Sequence, residues 1–201
     1  MDPRSRSLSA GERRAETVAT ILELAAEGEP SQITTAAIAQ RMRLTQGALF
    51  RHFPNKDAMW QAVLEWLSGE LLTRTETAAA NVPTALDALQ AIFMSHIELV
   101  MQRPGIPRLL FGELQRADDT LAKRVARSVM TRYGERLERL VTRGQHEGEI
   151  DQSVDSAVAS TMFIGMVQGL VVQSLLMGDF KRARRAAPEA FVLYRRALES
   201  R

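Results

Sequence analysis

From residue 156 to residue 178 the chain reads SAVASTMFIGMVQGLVVQSLLMG, without a single charged side chain. A helix of that composition is not stable with water on all sides, so it must lie in lipid, in a protein core or against a second protein. Arg182, Arg184 and Arg185 just beyond it, and the Gly165-x-x-x-Gly169 spacing within it, resemble a membrane span with a cationic flank. Ser160, Thr161, Gln168, Gln173 and Ser174 argue the other way, because each carries a polar group that lipid would leave unsatisfied. The expectation is a helix covered on nearly all sides by protein, with no membrane partner.

The rest of the chain has the same helical character. Period-two alternation and Asn-Gly or Asp-Gly hairpin signals are absent, while apolar residues recur at three- and four-residue intervals. Val18, Ile21, Leu22 and Ala25 define a first helix over about 11–27, after a tail of ten residues. Thr34 and Thr45 suit the N-caps of two short helices, and Asn55 that of a longer one reaching about residue 80. The Pro after Phe53 closes the third helix, and Asn81-Val-Pro83 separates two modules. Beyond it, Leu86, Leu89, Phe93, Ile97 and Val100 mark a helix over 84–102, and a short helix follows over 108–116. Leu121, Val125, Val129, Tyr133, Leu137 and Val141 form the stripe of a long one. Ser153 opens the uncharged helix, and a last helix covers 189–199. The fold expected is all-α, about nine helices and no sheet, divided into 11–71 and 83–201.

Composition narrows the function. The chain has 201 residues, 45% of them apolar and 25% charged, which fits a folded soluble protein. The absence of Cys excludes disulfides, thiolate metal sites and a Cys nucleophile, and suits a reducing, cytoplasmic setting. The N-terminal stretch lacks the apolar segment of a secretory signal. His52, His96 and His146 stand far apart in sequence, with no metal-ligand spacing, Gly-rich phosphate loop or Gly-x-Ser-x-Gly elbow. Neither an enzyme nor a cofactor is expected.

Charge distribution points elsewhere. The net charge is only +2, yet residues 30–56 hold four Arg or Lys and no Asp or Glu. A local basic stripe of this kind is an electrostatic footprint for phosphate. Within it, two short capped helices joined by a tight turn over 34–53 have the geometry of a helix-turn-helix, whose second helix enters the major groove. Gln46 suits a base edge, and Gly47 and Ala48 are small enough for close backbone approach. Thr34, Thr35, Arg43 and Lys56 fall where flanking phosphates would lie; Thr45, Arg51 and His52 complete the DNA-facing set.

The stretch ITTAAIAQRMRLTQGALFRHFPNKDAM resembles the signature of the tetracycline-repressor (TetR/AcrR) family of bacterial transcription regulators. The matching positions are Thr34, Thr35, Ile38, Ala39, Gly47, Leu49, His52, Phe53 and Lys56. Two positions depart from it. Arg43 stands where the family places a turn Gly, and Phe50 replaces a Tyr, losing a hydroxyl offered to phosphate. The resemblance implies a homodimeric repressor that reads palindromic double-stranded DNA and is released by a small, largely apolar effector. It assigns the dimer interface to the last two long helices, here Met162, Gly165, Gly169, Val172, Leu176, Phe191, Tyr194 and Leu198. For an effector pocket in the C-terminal part, the Met and aromatic content suggests Phe93, Met94, His96, Ile97, Phe111, Met130, Tyr133, Met162, Phe163 and Met166, the same spacing fitting plain core packing equally. A ligand-independent, architectural DNA-binding factor of the same fold is the alternative.

Overall fold

The computed structural model describes residues 8–80 and 82–200, the side chain of Ser31 excepted. The tail residues 1–7 and Asn81, in the expected break, lie outside the described residues. Among those described there are nine α-helices and no strand: α1 Ala10–Glu27, α2 Thr35–Arg41, α3 Gln46–Phe50, α4 Lys56–Ala79, α5 Ala85–Gln102, α6 Gly105–Leu114, α7 Leu121–His146, α8 Ser156–Leu176 and α9 Lys181–Leu198. A 3-10 turn, Pro30–Gln32, precedes α2, and Ile150 and Glu199 form an isolated antiparallel bridge.

Among the described residues, those up to Leu67 together with Arg103–Val125 form one compact unit, and those of 68–102 together with those from Ala126 onward another. This division differs from a cut near residue 81, because α6 and the start of α7 group with the N-terminal helices. In the first unit α1 packs against both α2 and α6. The expected stripe Val18, Ile21, Leu22 and Ala25 is buried there, together with Ile38, Leu49, Phe53, Met59 and Val63. Helix α1 starts one residue before the expected point, because Ser9 and Glu12 close a capping box. Gly105 lets α6 begin against the α1 backbone: a Cβ there would collide with the Leu22 carbonyl. Arg108 secures the same junction, donating to the Ala26 carbonyl at 2.5 Å at the C-terminal end of α1. Helix α6 therefore starts earlier than residue 108; Pro107 sits in its first turn, where a backbone N–H has no helical partner to lose.

In the second unit α5 and α8 both pack on α9. Phe93 is its aromatic centre, with ring centroids 5.3 Å from Phe163 and 5.5 Å from Phe191. The predicted α5 stripe is fully buried, and on α7 the stripe is buried from Val129 onward, whereas Leu121 is exposed. Helix α8 opens at Ser156 rather than Ser153, because the Asp155 carboxylate accepts from the amides of Ala157 and Val158. Helix α9 begins at Lys181, well before residue 189, and carries Pro188 in its interior. The proline is absorbed within the helix, at the loss of one backbone hydrogen bond.

Helix α8 is long and apolar enough to cross a membrane by length and composition, but only 33% of its apolar window is buried inside this chain. This chain alone therefore does not supply cover on nearly all sides of the helix. Its inward polar groups are satisfied by protein: Ser160 donates to the Gly134 carbonyl at 3.1 Å, and the Ser174 hydroxyl accepts from the Ala183 amide at 3.0 Å. Its outward face carries Val158, Met162, Val172 and Leu176, all exposed.

Candidate nucleic-acid interface

Three side chains start the helices of the basic segment. The Thr34 hydroxyl accepts from the Ala37 amide at 3.1 Å, and the Thr45 hydroxyl from the Ala48 amide at 3.1 Å. The Asn55 side chain accepts from the Ala58 amide at 2.8 Å. A capping hydroxyl uses only its lone pair, so the protons of the exposed Thr34 and Thr45 hydroxyls are still available to an acceptor outside the chain.

The turn between α2 and α3 is a Schellman motif. The Leu44 amide donates to the Ala39 carbonyl at 2.8 Å and the Arg43 amide to the Gln40 carbonyl at 3.0 Å. That closure requires a left-handed residue at its centre, and Arg43 takes it, with φ 56°. Helices α7 and α8 end in the same hydrogen-bond pattern, through Gly148 at φ 76° and Gly178 at φ 63°. Arg43 is thus the one non-Gly residue with positive φ among the described residues, at the position where a Gly is the ordinary solution.

Leu49 and Phe53 are fully buried and fix α3 to the first unit. On the opposite side Thr45, Gln46, Gly47, Phe50 and Arg51 are exposed; Ala48 and His52 are half-buried. A Cβ on Gly47 would meet only the Thr45 hydroxyl, at 4.0 Å, so the fold itself does not require glycine there. Thr35 is half-buried at the start of α2. The four cations of the segment are not equivalent. Arg41 is neutralised by Glu27, with Glu23 3.9 Å away, and that hydrogen bond holds the Glu27 carboxyl below its usual range. Arg43 and Arg51 are exposed and have no carboxylate partner among the described residues. The Lys56 ammonium lies 5.8 Å from the centre of the Trp60 ring. Sequence reasoning counted Arg41 in the basic stripe; its pairing with residues more than ten positions upstream was visible only after folding.

The residues expected around an effector are placed differently. Phe93, Ile97, Tyr133 and Phe163 are buried to 2% exposure or less, and the rings of Phe93 and Tyr133 each meet that of Phe163 edge-on. They are core rather than the wall of an open pocket. Met162 is 51% exposed and leaves the pocket set for the outer face of α8. Met94, Met130 and Met166 are half-buried in the second unit, whereas Phe111 is half-buried in the first. His96 and Tyr133 come together: Nδ1 and the hydroxyl are 3.1 Å apart, and burial lowers the His96 pKa to about 4.

The expected interface set also divides. Gly165 is exposed, Gly169 half-buried, and a Cβ on either would meet nothing within 4 Å. They lie with Met162, Val172 and Leu176 on the uncovered face. Phe191, Tyr194 and Leu198 point inward instead and are at most 4% exposed. Phe191 stacks near Phe93, and the Tyr194 hydroxyl donates to the Ala159 carbonyl at 2.9 Å. Their apolar periodicity belongs to this chain's own core, and the exposed apolar residue of α9 is Leu193. Among the described residues no cluster of His, Asp and Glu is arranged to hold a metal ion.

Residues 18–63 match the sequence family described as bacterial regulatory proteins, tetR family, and residues 85–190 match the tetracyclin repressor-like C-terminal domain. Nucleoid occlusion factor SlmA of Marinobacter nauticus is 30% identical over 192 residues, covering 89% of this chain and 95% of its own. The same-named protein of Vibrio cholerae is 25% identical over 84% of this chain and 86% of its own. Among solved structures, a TetR transcriptional regulator from Chloroflexus aurantiacus superposes with a TM-score of 0.80 at 20% identity, covering 96% of this chain and 98% of that one. The regulator FadR from Bacillus subtilis, in complex with stearoyl-CoA, gives 0.80 at 18% identity over 90% of this chain and 96% of that one.

Proposed function

The chain belongs to the tetR family of bacterial regulatory proteins and is a DNA-binding regulator, and we propose that it acts as a homodimer reading a palindromic operator, as a cytoplasmic repressor released by a small, largely apolar effector. The observation that carries this reading is the outer face of α3. Gln46, Gly47 and Arg51 stand exposed there, and Arg43 holds an unfavourable backbone conformation beside them. A helix of five residues is not stable on its own, so Leu49 and Phe53 anchor it while its other side remains available for a groove. The uncovered face of α8, with open space at Gly165 and Gly169, supports pairing of two copies through this helix. The stearoyl chain of the stearoyl-CoA bound to the B. subtilis FadR supports an effector with an apolar part.

A second reading has its own support. The SlmA relatives match nearly the whole chain and are named as nucleoid occlusion factors. In that reading the protein marks DNA without answering to a metabolite. The two readings are separated by mapping chromosomal occupancy by chromatin immunoprecipitation, with fluorescence anisotropy on the bound sequences against unrelated competitor DNA. One or a few sites at promoters support a repressor; many dispersed copies of one palindrome support an occlusion-type factor. Binding without preference over competitor DNA would refute both.

A further inference from the structure

Within the first unit, α4 and α6 enclose a cleft of about 500 Å³ that none of the expected effector residues lines. Its walls are Trp60, Leu64, Leu109 and Leu110, and the polar groups at its edges include Lys56 and Arg116. A smaller recess of about 90 Å³ continues past Trp60 and Arg116 toward Leu121. The size is that of a small-molecule site, and an apolar body with a few convergent polar groups is its usual composition.

The charges at the edge select the occupant. Glu29 and Glu113 line the cleft and are engaged within the chain, while Asp57 lines only the smaller recess. Glu113 accepts from the Thr120 hydroxyl and lies 4.0 Å from Arg116; the Glu29 carboxylate accepts from the Gln32 side-chain Nε2 at 3.3 Å. Lys56 differs. Its ammonium has the Trp60 ring beside it and no carboxylate partner among the described residues. A cation over an aromatic face, at the end of an apolar trough, fits a molecule with an apolar body and an anionic head.

Lys56 also belongs to the set of residues expected to face DNA phosphates. We propose that the cleft between α4 and α6 binds a small amphipathic anion, and that its head group and a DNA phosphate compete for the Lys56 ammonium. The coupling part of this proposal rests on the DNA-binding reading; occupancy of the cleft does not. Control then acts by direct exclusion inside the DNA-reading unit, and linkage requires that DNA weaken the anion by the same factor as the anion weakens DNA.

The test uses the full chain with Trp66→Phe, so that Trp60 is the only indole. Decanoate, below its micelle concentration, is titrated without DNA while Trp60 emission is followed, with decanol as the uncharged control. The expected result is a saturable change with decanoate, weaker binding of decanol, and roughly tenfold weaker decanoate binding in Lys56→Gln. Leu110→Gln weakens both probes, and a circular dichroism melt confirms that each variant is folded. No saturable change, or equal decanoate binding by Lys56→Gln and the parent, overturns the site. A second arm measures operator affinity with and without decanoate. Saturable binding with unchanged operator affinity overturns the competition alone, and a protein that binds no DNA still reports on the cleft through Trp60.

Discussion

The Leu44 amide reaches back over Arg43 to the Ala39 carbonyl at 2.8 Å, which closes α2 and aims α3. Arg43 at the centre of that closure has φ 56°, a conformation that costs a residue with a Cβ about 1 kcal/mol relative to glycine. Arg43→Gly should therefore raise stability by about 0.5–1 kcal/mol in urea unfolding while weakening operator binding. A glycine variant that gains stability and keeps full affinity would show that the Arg43 guanidinium makes no phosphate contact.

Gln46 and Arg51 are both exposed on α3, and the fold does not depend on either side chain. Gln46→Ala should relax base preference at one or two positions, by roughly 1–3 kcal/mol for a bidentate contact. Arg51→Ala should weaken binding across sequences and make the salt dependence shallower. Anisotropy titrations on the operator and its single-base variants check both; an unchanged preference profile removes Gln46 from the base-reading set.

Gly105 starts α6 directly against α1, and Arg108 holds the neighbouring carbonyls. In Gly105→Ala the added methyl meets backbone rather than a flexible side chain. Overpacking of that kind costs roughly 1–3 kcal/mol. Thermal unfolding should show the loss, and an unchanged Tm would mean that α6 can lift from α1 freely.

Local periodicity was enough to recover α5 and the buried half of α7, because a three- and four-residue spacing fixes one helix face whatever lies opposite. It did not reveal what each face meets. Phe191, Tyr194 and Leu198 form an apolar edge on α9, and nothing in their spacing distinguishes a partner chain from Phe93 and Phe163 of the same chain. The expected starts of two helices fell late, at 108 for α6 and 189 for α9, although Pro107 sits in a first turn and Pro188 inside a helix, where the backbone accommodates them. The caps Thr34, Thr45 and Asn55 were legible because capping is a short-range matter. The cleft was not, since its walls come from segments about fifty residues apart, near Trp60 and near Leu110.

His96 lies against the Tyr133 hydroxyl, and burial lowers its pKa to about 4 from 6.5. A group with a depressed folded pKa binds fewer protons folded than unfolded, so stability rises with pH between those values. The contribution is present above about pH 6.5 and is lost as pH falls through about 4. Melts at pH 7 and pH 5 should show a lower Tm at pH 5, with a smaller difference in His96→Gln. Asp87, whose carboxyl is lowered by its hydrogen bond to Arg195, adds its own loss only at more acidic pH.

Gly165 lies on the uncovered face of α8, where an added side chain meets nothing within 4 Å in this chain. Gly165→Leu should therefore leave the folded monomer intact and even favour it, since Gly in a helix interior costs about 1 kcal/mol. If two copies meet here, the same side chain enters the closest point of approach and holds the helices apart. Light scattering after size exclusion should then find a dimer for the parent and a monomer for the variant, with helicity unchanged by circular dichroism. Loss of helicity would contradict the open space at Gly165. A variant that remains dimeric moves the interface to another surface, with the exposed Leu193 of α9 as the next residue to substitute.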